Sequence, residues 1–169
     1  LSMIAAKEGA GRVVAVEANR HMCQVAQSNV MQNSLQDNIQ VLSCLSTDMS
    51  PASLPEGRCA DVLVSEILGT LMLGEGALDY IADARKRLLK PDAKIIPACG
   101  CQYASLIESA DLESITAVQG WGGIDLSGFN TLQDTVSLVF TKQYGFRFSS
   151  IRSRQMAPRV TVADVDFYT

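Results

Sequence analysis

The sequence predicts an α/β fold: a doubly wound, mainly parallel sheet, followed by the start of an antiparallel β domain. Three observations predict it. Short β-branched runs alternate with amphipathic helical stretches up to about residue 100, two of those runs close on a glutamate, and beyond residue 100 the pattern changes to apolar–polar alternation. The boundary is placed near residue 100, giving an α/β domain over 1–100 and a β-rich domain over 101–169.

Residues 1–9 carry helix-forming apolar side chains and stop at Gly9-Ala10-Gly11, where glycine supplies the usual helix-ending conformation. The opening Leu1-Ser2-Met3-Ile4-Ala5-Ala6 starts inside this pattern with no initiator Met, so the sequence reads as a piece of a longer chain. Arg12-Val13-Val14-Ala15-Val16 is a β-branched run closing on Glu17, a buried parallel strand with an acidic tip. Met22, Val25, Ala26 and Val30 recur at helical spacing over residues 20–33, and Asn33-Ser34 ends them. Ile39-Gln40-Val41-Leu42 is a second strand, residues 50–57 are loop, and Ala60-Asp61-Val62-Leu63-Val64-Ser65 is a third strand ending at Glu66. Residues 76–89 form a helix with Arg85, Lys86 and Arg87 near its C-terminus, where cations complement the helix dipole. Pro91-Asp92 then breaks into the strand Lys94-Ile95-Ile96. Further on, Tyr103-Ala104-Ser105-Leu106-Ile107-Glu108 alternates like a strand, residues 120–128 are loop, and residues 135–142 and 160–168 alternate again.

With 169 residues, 47% apolar and 19% charged, and no low-complexity tract, the chain can bury a sizeable core. The formal charge is −4, and the 14 basic residues never gather into a run that could track a phosphate backbone. That argues against direct binding of nucleic acid and suits a cationic ligand instead. No signal peptide or apolar run of membrane-spanning length is present, so no membrane partner is expected. The five cysteines are an odd count, and Cys99-Gly100-Cys101 is too tight for an ordinary bridge. They read as reduced thiols of a cytoplasmic or nuclear protein, and all five as small core residues. His21 is the lone histidine and cannot supply a multi-His metal site, so no metal is expected. Trp121, in Gln119-Gly120-Trp121-Gly122-Gly123, reads as a loop anchor and not as a catalytic residue.

Two features carry chemistry. Glu17 stands at the carboxyl end of a strand in a doubly wound sheet, where an acid accepts hydrogen bonds from both ribose hydroxyls of a nucleoside. The same position equally suits a carboxylate capping the next helix. The second feature is Ser65-Glu66-Ile67-Leu68-Gly69-Thr70-Leu71-Met72-Leu73-Gly74-Glu75, two carboxylates nine residues apart across an uncharged, largely apolar segment. Such a segment leaves a carboxylate cheaply only toward water or a cation. Folded back, it would turn both toward one pocket, where a planar guanidinium can present N–H pairs to each. Unfolded, it leaves two surface glutamates flanking a hydrophobic loop.

The run Ser65-Glu66 with Gly69 and Glu75 resembles the double-glutamate loop of the protein arginine N-methyltransferases. Leu1-Ser2-Met3-Ile4-Ala5-Ala6-Lys7 through Val14-Ala15-Val16-Glu17 resembles the stretch that comes after the glycine-rich cofactor loop in that family. Leu88-Leu89-Lys90-Pro91 with Ile95-Ile96-Pro97 matches its later strand motif, and together these cover residues 1 to about 108 in order. The resemblance implies a class I, Rossmann-like methyltransferase domain over 1–100 and the start of an antiparallel β-barrel substrate domain over 101–169. It implies S-adenosyl-L-methionine as cofactor, with Glu17 and the adjoining Ala18 at the ribose and Ser46 and Thr47 along the adenine. Glu66 and Glu75 become the catalytic pair, holding an arginine of a protein or peptide substrate. The family often carries Glu where Thr47 stands, so a side-chain carboxylate contact to the adenine amino group is lost here. Tyr103-Ala104-Ser105-Leu106-Ile107-Glu108-Ser109 looks most like the type III branch, which forms monomethylarginine, and Ala77 stands where asymmetric dimethylating members usually place Met. A homodimer is implied as well. The family's glycine-rich loop and its Thr-His-Trp-type loop do not occur in the sequence.

The implied mechanism is one of positioning, because methyl transfer from a sulfonium needs a nucleophile in line and little acid–base chemistry. Two other readings share part of the pattern. A nicotinamide-dependent dehydrogenase would use the strand-end acid but gives no reason for the two-glutamate loop. A catalytically inactive scaffold that keeps the fold for dimer contacts would not need both glutamates.

Overall fold

Valine-rich runs become strands where alternation places them. In the computed structural model, which describes residues 1–69, 72–133 and 150–169, α1 (Ser2–Lys7) leads into β1 (Val13–Val16), α2 (Arg20–Gln32) and β2 (Ile39–Leu42). β1 and β2 pair in parallel, from Val13 opposite Ile39 to Val16 opposite Leu42. α2 begins at Asn19, whose side-chain oxygen accepts from the N–H groups of His21 (3.0 Å) and Met22 (3.1 Å) and so satisfies donors that the helix leaves free. After β2 come three short 3₁₀ turns, Ser46–Asp48, Pro51–Ser53 and Pro55–Gly57. Next in the chain are β3 (Ala60–Val64), α3 (Ala77–Arg87) and β4 (Leu89–Ile96), with β3 and β4 again parallel. Among the described residues the two parallel pairs are separate two-stranded sheets.

α3 packs by one face. Ala77 and Ile81 join Leu89, Ala93, Ile95 and Phe167 in one buried cluster, while Ala84 and Leu88 join Met49 and Leu54 in a second. The spacing 77, 81, 84, 88 is the helical stripe that puts apolar side chains on one side. Leu63 of β3 touches both clusters, and Val14 of β1 and Leu42 of β2 touch the second.

The helix expected over residues 76–89 ends at Arg87, and the strand expected from Lys94 begins at Leu89. Pro91 therefore lies within a strand. The ladder tolerates it because the register slips there, Ala60 facing Leu89 and Val62 facing Lys94, so the missing proline N–H falls in an irregular stretch that needs no ladder bond.

The remaining elements are β5 (Cys99–Ala104), β6 (Ile107–Glu108), α4 (Ala110–Thr116), β7 (Gly120–Trp121), β8 (Ile124–Asp125), β9 (Arg154–Gln155) and β10 (Val160–Asp166). The chain divides into one unit of Leu1–Cys101 with Ala163–Thr169 and another of Gln102–Val162. The domain placed over 101–169 therefore gives up its last residues. Phe167 is 3% exposed in the first unit's core, its N–H donates to Ala98 O (3.0 Å), and the Tyr168 hydroxyl accepts from Ile95 N–H (2.8 Å).

In the second unit β6 pairs antiparallel with β9, and β7 with β8. The strand expected over 103–108 breaks at Ser105 and Leu106 into the end of β5 and the short β6. Helix α4 arises where no helix is expected. Ser109 caps it by accepting from Leu112 N–H (3.2 Å), and Asp111 and Glu113 stand in its first turn. The loop expected over 120–128 is partly a hairpin, turned by Gly122 (φ +60°) and Gly123 (φ +80°), the left-handed pair a two-residue turn requires. Trp121 is 81% exposed on that hairpin, so it does not anchor the loop. Cys99 and Cys101 are exposed too, because both fall on the outward positions of β5; only Cys23 is buried, with Cys44 and Cys59 intermediate. The alternation noted over 135–142 lies outside the described residues.

Ile81, 2% exposed, tests the packing of α3. Ile81→Ala should cost about 2–5 kcal/mol, read as a lower denaturant midpoint; an unchanged midpoint would show that α3 is not packed as described.

Candidate functional site

Glu17 directly succeeds β1, and its N–H continues the ladder to Leu42 O (3.0 Å). One carboxylate oxygen accepts from Asn19 N–H (2.7 Å). That bond turns the carboxylate along the β1–α2 connection and holds Ala18 between the two partners. The helix cap itself is Asn19, so Glu17 is not needed for that task. Its second oxygen has no hydrogen bond among the described residues and is free to accept.

Glu66 leaves β3 in the corresponding way. Ser65 N–H donates to Ile96 O (2.9 Å), fixing the chain as it leaves the sheet. The Ser65 hydroxyl oxygen is buried without a hydrogen-bond partner, an arrangement that costs on the order of 1–3 kcal/mol. Nothing in the sequence pattern singles out Ser65 for a role of its own.

Gly69 and Glu75 lie close together in space. Gly69 has φ +61°, and a Cβ on it would lie 3.1 Å from Glu75 Cγ and 3.2 Å from Glu75 N. A Cβ there would crowd Glu75 by a few tenths of an ångström, and its residue would have to adopt a left-handed φ, so glycine suits this close approach of residues 69 and 75. Both glutamates are exposed, and neither makes an ion pair or hydrogen bond among the described residues; Thr70 and Leu71 lie outside them. Gly76 then opens α3 with φ +75°. The loop thus brings Glu75 back beside residue 69 with its carboxylate uncommitted.

Ser46 and Thr47 form a 3₁₀ turn with Asp48, and the turn packs against α3. Arg87 donates from Nη2 to Ser46 O (3.1 Å) and Thr47 O (3.2 Å), and from Nη1 to Met49 O (2.5 Å). Its other side meets Asp83. The hydrogen bond from Arg87 holds the Asp83 carboxyl below its ordinary range and raises the guanidinium in turn, so both stay ionised. In the sequence Arg87 registers only as a cation at a helix end. Its i,i+4 pairing with Asp83 is a readable signal, but the backbone carbonyls it reaches are not.

A cleft of about 320 Å³ lies elsewhere, at Arg85, Lys86, Lys90, Pro91 and Tyr168. None of the sequence-predicted site residues lines it. Of its three cations, Arg85 is already bonded to Tyr168 O and Thr169 O, and Lys90 to Asp61 (2.5 Å). Among the described residues no group of His, Cys, Asp and Glu could hold a metal ion, and no helix is long and apolar enough to cross a membrane.

The family profile of the ribosomal protein L11 methyltransferase (PrmA) matches residues 1–100. An arginine N(omega)-methyltransferase of Streptomyces achromogenes subsp. streptozoticus is 36% identical over 132 residues, 78% of this chain and 36% of that protein. Protein arginine N-methyltransferase 7 of Caenorhabditis briggsae is 32% identical over 168 residues, 99% of this chain and 25% of that protein. The chain belongs to the protein arginine methyltransferase family. The L11 profile stops at residue 100, whereas the nematode arginine methyltransferase matches nearly the whole chain, β-rich part included. The chain spans about a quarter to a third of the length of these relatives.

Two solved arginine methyltransferases share the fold, each at 24% identity with a TM-score of 0.71: the Trypanosoma brucei PRMT1 enzyme–prozyme heterotetrameric complex with AdoHcy, and Arabidopsis thaliana protein arginine methyltransferase 10 in an open conformation. They cover 100% and 98% of this chain, and it covers half of each of theirs. The parallel pairs β1–β2 and β3–β4 are thus parts of a class I, Rossmann-like methyltransferase fold. The antiparallel pairs beyond residue 101 do not by themselves make a barrel.

The close approach of Gly69 and Glu75 gives the expectation that the two glutamates share a site a direct test. Gly69→Ala would strain a left-handed residue and push Glu75 away. In the full-length protein it should lower turnover on an arginine peptide by up to about 100-fold, the ceiling set by an ångström-level misplacement, and lower thermal stability by the strain of a left-handed alanine, about 1–2 kcal/mol. Turnover equal to that of the parent would show that this close approach does not place the carboxylates.

Proposed function

We propose that the full-length protein is an S-adenosyl-L-methionine-dependent protein arginine N-methyltransferase, which transfers a methyl group to a guanidinium nitrogen of a protein or peptide arginine and gives mainly monomethylarginine. The observation that carries this reading is the loop closed at Gly69, with Glu66 at one end, Glu75 at the other, and both carboxylates uncommitted. The curated relatives are named for arginine methylation, and the trypanosome neighbour is a complex with AdoHcy, which supports the cofactor.

The residues present fit that cofactor. Glu17 keeps one carboxylate oxygen free beside the end of β1, in the place where ribose hydroxyls would donate to it. Ala18 adjoins it without bulk, and the Ser46–Thr47 turn offers a small neutral surface to the adenine. The cofactor, when bound, supplies an electrophilic methyl group.

Glu66 and Glu75 would each accept N–H donors from one side of the guanidinium. They would draw its positive charge toward the bonded nitrogens and hold the remaining nitrogen in line. The compact ammonium of a lysine has no planar fork to bridge the two carboxylates, so arginine is selected. Association into a homodimer, in a cytoplasmic or nuclear setting, completes the proposal.

The monomethyl product rests on residues 103–109 and on the methyltransferase 7 relatives. Ala77 adds nothing to it, because its side chain is 0% exposed among Ile81, Leu89 and Ile95 and acts as a core residue.

Glu66→Gln or Glu75→Gln in the full-length enzyme keeps the shape and removes one charge. Each should reduce turnover on an arginine peptide by at least about 100-fold, the scale of one lost preorganised electrostatic contact. Cofactor affinity should hardly change, and the double variant should be little worse than the worse single one, since residues serving one positioning task are not additive. Near-full activity of either variant would refute the two-carboxylate site. Mass spectrometry of the methylated peptide checks the product: monomethylarginine should dominate, and abundant asymmetric dimethylarginine would show the branch assignment to be wrong.

A further inference from the structure

Arg87 makes contacts that neither helix stability nor surface charge explains. Nε donates to Asp83 Oδ1 (2.7 Å) and Nη2 to Asp83 Oδ2, so the carboxylate grips one edge of the guanidinium. The rest of the group meets three backbone carbonyls, those of Ser46, Thr47 and Met49, about forty residues away in sequence. Arg87 and Asp83 side chains are each 28% exposed, so this network is half-buried against the protein.

Three carbonyl dipoles converging on one point repel one another unless a cation lies between them. The guanidinium supplies that cation and, being planar with five donors, fixes their spacing as well. Holding the carbonyls fixes the backbone of the Ser46–Asp48 turn whatever its side chains are. Ser46 and Thr47 bring only neutral hydroxyls beside the Asp48 carboxylate, so the backbone N–H and C=O groups of the turn, whose direction Arg87 fixes, are a further source of discrimination there.

We propose that Arg87, aligned by Asp83, is the positioning residue that sets the shape of the Ser46–Asp48 turn, and that it thereby makes the cofactor pocket selective for adenine over other nucleobases without touching the base. This rests on the proposed placement of Ser46 and Thr47 along the adenine.

The test is calorimetry on the full-length protein with S-adenosylhomocysteine and with S-inosylhomocysteine, in which an oxo group replaces the adenine amino group. The parent should bind the adenine compound more tightly. Arg87→Met should weaken S-adenosylhomocysteine by at least about tenfold, or about 1.4 kcal/mol, and should shrink the preference for adenine. The arginine-peptide KM at saturating cofactor should stay unchanged. Arg87→Lys, with a charge but no fork, should fall between. Equal weakening of both compounds with the preference intact would mean a general structural role and overturn the proposal, as would unchanged affinity. Should Arg87→Met fail to fold, Asp83→Asn carries the test: it keeps the guanidinium but loosens its alignment, and should cost about threefold with a reduced preference, whereas an unchanged preference overturns the proposal. A parent that binds no S-adenosylhomocysteine removes the cofactor reading itself, an outcome distinct from a binding parent with an indifferent Arg87 variant.

Discussion

Burial of one face of α3 holds the first unit together. Ala77 and Ile81 close the cluster over β4 and Phe167, and Ala84 and Leu88 close the cluster over Met49 and Leu54. Burying an Ile or Leu side chain contributes about 1.5–3 kcal/mol each, and this matters more than usual here. Among the described residues no hydrogen bonds join the pair β1–β2 to the pair β3–β4. What joins them is the packing of Val14, Leu42 and Leu63 beneath the same helix. The ends of β1 and β3, from which Glu17 and Glu66 emerge, are positioned only as well as that helix is seated.

The charged groups obey a different rule from the apolar ones. Asp61 pairs with Lys90 (2.5 Å), Asp111 with Arg152 (2.8 Å) and Glu108 with Arg154 (2.8 Å), all with at least one partner largely exposed. Such pairs contribute about 0–1 kcal/mol, yet Glu108 and Arg154 face each other across β6 and β9 and help to set that register. Glu17, Glu66 and Glu75 are left out of this pairing. An exposed unpaired glutamate is ordinary by itself. What sets Glu75 apart is that backbone geometry, not charge, brings it against Gly69, since the closing contact involves its N and Cγ atoms and leaves the carboxylate free.

Much of the first unit was legible because its elements are dictated locally. Val13–Val16, Ile39–Leu42 and Ala60–Val64 are short β-branched or aliphatic runs that favour strand, and α2 carries its own cap in Asn19. The burial expected of the strand before Glu17 is only partial, with Val16 exposed, as Val62 and Val64 are on β3. The glutamate loop was legible as a pair of charges in an apolar setting, whereas its turn at Gly69 was not, because a positive φ is a property of the folded backbone. Other features depend on partners distant in sequence. Pro91 stays in a strand because β4 carries the extra residues of a bulge opposite β3 there, and Cys99 and Cys101 are exposed because of the face β5 turns outward. Helix α4 had a readable signal, Ser109 with Asp111 and Glu113 just after it, but it directly follows residues 103–108, whose alternation suggested strand. Trp121 misled because large aromatics are usually buried, and its exposure results from a glycine turn that holds the hairpin without it.

Arg87 shows most clearly where a sequence stops being informative. Its acceptors are backbone carbonyls, and a carbonyl has no letter: any residues at 46, 47 and 49 would present the same oxygens. A long side chain on a helix leans toward the helix N-terminus, so Arg87 lies back along α3 over Asp83, one turn earlier, and projects from there to the turn after β2. Glu75, by contrast, precedes α3 by two residues and depends on Gly69 and Gly76. One helix of eleven residues, about 16 Å long at 1.5 Å per residue, thus has the glutamate loop attached at its first turn and the Ser46–Asp48 turn attached at its last. The two attachments use different chemistry, glycine backbone at one end and a guanidinium at the other. A substitution at either end therefore disturbs its own attachment while the buried stripe between them keeps the helix in place.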